Sequence, residues 1–240
     1  MPTFKPYKKI YLSQVPAEIP SGKPIVFWDS CSLIYIITIA VRDSFADYQF
    51  YKEILSMIEN DQIISVTSSI VWDEFNSHYA EEAAGAQDDI DKLRTLIRNY
   101  ADIHSEPTKT ELNDLANNIN LFDILEDIEA RVWSKTFVIN EERQLADLAH
   151  YRVLHKISPS KVKDQYKDAY IWCTFMSAAM LYPQEDKFFM TDNREDYCVS
   201  KKSTVPQQDI ENDCNTAKAN AVFKISSLYG ALQRAFHATP

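Results

Sequence analysis

Residues 25–37 read Ile-Val-Phe-Trp-Asp-Ser-Cys-Ser-Leu-Ile-Tyr-Ile-Ile. A run of β-branched and aromatic side chains ends at an acid, Asp29, small hydroxyl residues follow, and a second apolar run begins. This order predicts a buried strand, Asp29 at its carboxyl end, a turn begun by Ser30 or Ser32, and a helix behind it. A carboxylate there is costly to bury without a partner. In open α/β sheets, ligands and chemistry sit in the crevice beyond the carboxyl ends of the strands. Asp also caps helices readily, so both roles stand for Asp29 at this point. Asp29 further interrupts an apolar run that would otherwise read as a membrane span.

A chain of 240 residues with 45% apolar and 12% aromatic residues can bury a sizeable core. Its three glycines, Gly22, Gly85 and Gly230, form no phosphate-cradling loop motif. The net charge of −10 repels polyanions at long range, so any nucleic-acid role must rest on a local basic patch or on bound cations. Cys31, Cys173, Cys198 and Cys214 lack metal-finger spacing, and the N-terminus lacks the apolar core of a signal peptide. These features predict a cytoplasmic protein with reduced thiols and no membrane partner.

Residues 1–24 hold half of the ten prolines, with Lys5, Lys8 and Lys9 among aromatics, and predict an extended arm over the surface. Residues 43–60 place Phe45, Tyr48, Tyr51, Leu55 and Ile58 on one helical face. A second strand at 63–67 leads, through Ser68 or Ser69 as caps, to a helix with Val71, Phe75 and Tyr79 at spacing four; Glu74 lies in its second turn. Residues 81–160 read as a helical elaboration, with one stripe of Ile90, Leu93, Ile97 and Tyr100 and one strand at 136–139. Asn140 is the expected cap of the helix carrying Leu145 and Leu148. The alternation of strand and helix then returns. A helix over 168–182 sets Asp168 on the apolar face of Trp172 and Phe175, and a buried strand at 187–191 delivers Asp192, Asn193, Arg194 and Asp196. A last strand at 221–224 and a closing helix follow.

Asp29 thus ends a strand, Glu74 sits just inside the helix after a strand, Asp168 lies on the inner face near a helix start, and Asp192 or Asp196 follows another strand. With parallel strands they meet at one sheet edge. Crowded carboxylates cannot all ionise without counter-charge, and divalent metal supplies it. Oxygen-only ligation favours Mg²⁺ or Mn²⁺ over zinc, and such ions beside a cleft serve phosphodiester hydrolysis.

The segments IVFWDSCSLIYI, VTSSIVWDEF, YKDAYIWCTFMSAA and FFMTDNREDY, in this order, resemble the PIN-domain nucleases, which include toxin ribonucleases of toxin–antitoxin pairs. The resemblance covers residues 25–80 and 160–236, and VFKISSLYGALQ resembles the last strand and helix of larger members. It implies a three-layer α/β/α domain with a mostly parallel sheet and Mg²⁺- or Mn²⁺-dependent hydrolysis, mostly of RNA; the domain is read over 25–240, with the helical elaboration at about 81–160 inside it. By the resemblance, Asp29 and Glu74 match the first two acids and Asp168 the acid of the helical Lys-Asp motif. Thr191 matches the family's Thr or Ser, Asn193 falls where many members place Asp, and Asp196 matches the later acid of one variant, with Asp192 an extra acid between. Ser32 matches a small polar residue that supports the first acid. The block at 81–160 is longer than in small toxin members and reads as a substrate clamp, a partner surface or a regulatory cap.

Lys163, Lys167 and Arg194, with Arg152, Lys156, Lys161, Lys201 and Lys202 nearby, form either a track for single-stranded or structured RNA or a solvated basic face. His78 and Asp164, each one turn from a candidate acid, are possible additions to the site or plain surface groups. An antitoxin or regulatory protein and a second copy of the chain are the expected protein partners. Two other functions remain open. A haloacid-dehalogenase-type phosphatase also places Asp after its first strand, but its second Asp falls at Cys31 here. A PIN-like module that binds nucleic acid or protein without catalysis is the other.

Overall fold

The structure is a computed structural model that describes residues 8–38, 45–118, 121–161, 163, 165–182 and 186–238. In chain order its elements are β1 (Lys8–Ile10), a 3-10 turn (Leu12–Gln14), α1 (Val15–Glu18), β2 (Ile25–Trp28), α2 (Ser30–Ile37), α3 (Phe45–Glu59), β3 (Ile64–Ser68), α4 (Ser69–Asp102) and α5 (Thr108–Asn118). There follow α6 (Leu121–Trp133), β4 (Thr136–Ile139), α7 (Arg143–Leu154), α8 (Tyr166–Leu181), β5 (Lys187–Met190), α9 (Arg194–Tyr197), α10 (Gln208–Ala217), β6 (Asn220–Val222) and α11 (Ile225–Ala238).

All strand pairs are parallel and the order is β1-β4-β3-β2-β5-β6. Parallel strands need crossovers, and helices supply them on both faces. The helices α2, α3, α4, α6 and α11 contact one another on one side, and α1, α7, α8 and α10 on the other. This is the three-layer α/β/α arrangement expected from the alternation of strand and helix.

The central strands are buried at every position, so hydropathy alternation gives way to continuous apolar runs. Polar side chains in this interior pair with each other. The Trp28 indole donates to Ser65 Oγ at 2.9 Å, Ser65 Oγ meets Thr136 Oγ1 at 2.8 Å, and Thr67 Oγ1 donates to the Trp28 carbonyl at 2.8 Å. A one-residue slip of β2, β3 or β4 would strand these groups unpaired, which pins their register.

Three expectations change. Residues 8–24 do not lie as an extended arm: β1 joins the sheet edge beside β4, and Ile10, Leu12, Val15 and Ile19 are buried. Burial of these four apolar residues outweighs the extended preference of the neighbouring prolines. Residues 1–7, with Lys5, lie outside the described residues. The 81–160 block is also not wholly elaboration, because β4 lies between β1 and β3 and is integral to the sheet. Helix α7 begins at Arg143 with Glu142 at its N-cap rather than Asn140, whose N–H instead extends the ladder to the Ile10 carbonyl at 2.8 Å.

Between α4 and α6 an aromatic wall forms. The Trp133 ring meets Trp72 at 4.4 Å and Phe75 at 5.2 Å, edge-on to both. Glu129 is fully buried in this region, beside the Tyr79 hydroxyl. Burial pushes its carboxyl up to about 7 and Glu126 adds to the rise, while the Tyr79 hydroxyl opposes it. A carboxyl raised above its unfolded value favours the fold fully below about pH 4.5 and less as pH climbs through about 7. Glu129→Gln should therefore stabilise the protein at pH 8 by about 1–2 kcal/mol after allowance for solvent screening, and leave it unchanged at pH 4. Thermal melts of both proteins across this range check the difference.

Candidate active site

Strand order runs from β2 toward β3 and β4 on one side and toward β5 and β6 on the other. The reversal lies between β2 and β5, and loops leaving their carboxyl ends diverge to open a crevice there. Asp29 follows β2 and Thr191 follows β5, so both stand at its mouth.

Asp29 takes both roles the sequence allowed. Its backbone N–H donates to the Met190 carbonyl at 3.0 Å, and its side chain caps α2 by accepting the Ser30 N–H at 2.7 Å. Its other oxygen, Oδ2, accepts Thr191 Oγ1 at 2.6 Å and the Cys31 thiol at 3.4 Å. The carboxylate is only 3% exposed and cannot turn without breaking these bonds. Ser30 Oγ lies 3.4 Å from Asp29 Oδ1 and donates to Glu74 Oε2 at 3.0 Å, which holds the two carboxylates within one hydroxyl's reach. Glu74 sits in the second turn of α4, begun by the Ser68 cap, and its Oε1 meets Lys167 Nζ at 3.1 Å.

Asp168 and Asp196 form the opposite wall. Asn193 Nδ2 lies 3.0 Å from Asp196 Oδ2 and 3.5 Å from Asp168 Oδ1, so one amide joins them. The Asn193 N–H donates to Thr191 Oγ1 at 3.0 Å, which ties this wall to Asp29. Gln165 Nε2 reaches Asp196 Oδ2 at 3.4 Å, Gln207 Nε2 holds the Asp196 carbonyl at 2.9 Å, and Tyr197 OH donates to the Asp168 carbonyl at 3.2 Å. Asp196 is buried, and its Oδ1 has no hydrogen-bond partner among the described residues.

The electrostatics follow. Burial raises Asp29, and Glu74 adds to the rise against the opposing Thr191, Ser30 and Cys31 hydrogen bonds. Burial and then the charges of Asp29, Asp196 and Glu74 push Asp168 up to about 8, opposed by Asn193. Such a cluster favours protons or cations. Its donors are oxygens, and the Asp196 oxygen left without a partner among the described residues is an acceptor; in donor chemistry the cluster suits a hard divalent ion. Among the described residues, no three His, Cys, Asp or Glu side chains stand as a ready-made metal group.

The other expected residues divide. The Asp192 carboxylate is held by Arg194 at 3.0 Å, and Arg194 also donates to the Phe223 carbonyl at 3.2 Å, so this pair braces the loop. Ser32 is fully buried against the Cys31 thiol at 3.9 Å, and the support of Asp29 expected from it falls to Ser30 and Thr191. Lys163 and Lys201 flank the exposed Glu195 at 3.2 and 3.4 Å, with Lys161 and Lys202 exposed nearby. Arg152 lies away from this rim, bonded to Asp213 at 2.7 Å. His78 is exposed, and Asp164 lies outside the described residues. Sequence reasoning missed Gln165 and Gln207, and gave Ser30 a turn-starting role alone. Only Ser30 left a signal, as the first residue after a capping acid.

A family model of the PIN domain matches residues 26–197. The chain belongs to the PIN-domain family. No match was found among the curated proteins or among the solved structures. PIN domains are in general nucleases and typically use divalent metals. The phosphatase reading thereby loses its support, in keeping with Cys31 at the position where that class needs an acid. No helix among the described residues is long and apolar enough to cross a membrane.

Without cations, the raised Asp168 carboxyl favours the fold below about pH 4 and loses that contribution as pH rises through about 8. Asp168→Asn in EDTA should therefore melt higher than the parent protein at pH 9 and alike at pH 4, as read by thermal denaturation.

Proposed function

We propose that this PIN-domain protein is an endoribonuclease that hydrolyses phosphodiester bonds with Mg²⁺ or Mn²⁺. The observation that carries the reading is the gathering of Asp29, Glu74, Asp168 and Asp196 about one crevice, linked by Ser30 and Asn193. Asp29, Glu74, Asp168 and Asp196 would hold the ion, which when bound neutralises the cluster and polarises a phosphodiester toward attack by water. The chain's own groups then have separate tasks. Thr191 and Ser30 keep Asp29 aimed. Asn193 sets the spacing of Asp168 and Asp196 and adds no charge to the cluster.

No protein nucleophile is required. The Cys31 thiol borders the site, but burial and Asp29 push it far above its ordinary range, so it stays protonated. Because the whole chain carries −10, a polyanion must be met locally. The lysine rim of Lys163, Lys167 and Lys201 supports that task; Arg194, bound to Asp192, supports the loop. A cytoplasmic setting and a partner that covers the rim, in the manner of an antitoxin or regulator, belong to the same reading.

RNA should be cut in Mg²⁺ or Mn²⁺ and left whole in EDTA, and Asp29→Asn should lower kcat by about 100-fold or more, near 3 kcal/mol of barrier. Full activity in Asp29→Asn would remove the reading. Metal binding without turnover of RNA or DNA would favour a binding module. Lys163→Glu with Lys201→Glu should raise KM for RNA by about tenfold at low salt and by less at high salt, with kcat nearly unchanged. Cleavage kinetics at two salt concentrations measure this.

A further inference from the structure

The acids of the crevice are bridged by neutral groups, with one exception. Lys167 Nζ lies 3.1 Å from Glu74 Oε1, and among the described residues it is the one cation in an ion pair with Asp29, Glu74, Asp168 or Asp196. The other two lysines of the rim are engaged elsewhere: Lys163 and Lys201 both pair with the exposed Glu195.

The pair follows from helix geometry. Lys167 and Asp168 are neighbours in the first turn of α8, where successive side chains are turned about 100° apart. Asp168 is thereby set beside the Asn193 amide, while Lys167 reaches across to Glu74 on α4. One turn of helix thus delivers an acid to the cluster and a base to another of its members.

The two partners differ in freedom. The Lys167 side chain is 64% exposed, on a long flexible stem, and the Glu74 side chain is 19% exposed. Glu74 is also held from its other side, where Oε2 accepts the Ser30 hydroxyl at 3.0 Å. Both Glu74 oxygens therefore have a partner, but the partners are unlike. Ser30 is neutral and leaves the carboxylate charge in place. The ammonium offsets part of that charge, and it repels any dication drawn to the same oxygen.

We propose that Lys167 is the resident counter-ion of the crevice, whose ammonium competes with the divalent ion for Glu74 and is released to the rim when the ion binds. Such competition presupposes the metal-dependent reading of the site. It is reciprocal by linkage: whatever draws Lys167 off Glu74 favours the ion, and the ion favours a free Lys167. The lysine is a positioning residue for Glu74, and its exposure lets it leave without the cost of stranding a buried charge.

Titration of the full chain with Mn²⁺ at low salt, read by the electron paramagnetic resonance signal of free aqueous Mn²⁺, tests the competition. Lys167→Met should bind Mn²⁺ about two- to fivefold more tightly than the parent protein, the range set by an exposed ion pair. Lys167→Arg, which keeps a cation beside Glu74, should show no such gain. In a Glu74→Gln background Lys167→Met should also bring no gain, because the pair is already broken. A lysine that acted only through its charge near the cluster would give the same gain in both backgrounds. An affinity unchanged or weakened in Lys167→Met, or an equal gain in Glu74→Gln, would overturn the proposal and leave the metal-dependent reading standing. Absence of Mn²⁺ binding by the parent protein would overturn both.

Discussion

The crowding of carboxylates in a largely desolvated crevice is the constraint around which this molecule is built. Asp29, Asp168 and Asp196 are side chains that water would solvate far better than a protein interior does, yet the sheet holds them at one end. The backbone makes this possible. Parallel strands direct every carboxyl end to the same edge, and the reversal between β2 and β5 opens space there. Neutral polar groups then separate the acids: the Ser30 hydroxyl between Asp29 and Glu74, and the Asn193 amide between Asp168 and Asp196. Carboxylates so crowded favour protons or cations over full, uncompensated ionisation.

That arrangement needs a rigid floor. The bonds among Trp28, Ser65, Thr136 and Thr67 fix the register of β2, β3 and β4 below the site. Trp172, Phe175, Phe189 and Tyr197 pack ring to ring beneath Asp168, at centroid distances of 5.2 to 5.7 Å. Tyr197 serves twice, as a core ring and as the donor to the Asp168 carbonyl. Buried aromatics with a polar tip suit the boundary between an apolar core and a charged site.

Much of this was legible from residue order. Strands buried on both faces write themselves as short continuous apolar runs, which is why β2, β3 and β5 and the acids behind them could be read directly. The strand at Thr136–Ile139 was equally visible, but its place in the sheet was not, because pairing is non-local and a helical block separates it from β3. The loop after β5 offered three polar candidates with no periodicity to choose among them. Only side-chain geometry distinguishes Asp192, held by Arg194, from Asp196, which shares Asn193 with Asp168. Edge strand β1 was hidden for another reason: prolines around a three-residue run mask the apolar residues that the fold buries.

The central claim is that one cation is held where these carboxylates converge. The most direct measurement is anomalous X-ray diffraction from crystals of the protein grown in Mn²⁺. The account predicts a Mn²⁺ peak bounded by Asp29, Asp168 and Asp196, with Asp192 still on Arg194. A crevice without a peak at saturating Mn²⁺, or a peak elsewhere on the molecule, would contradict it.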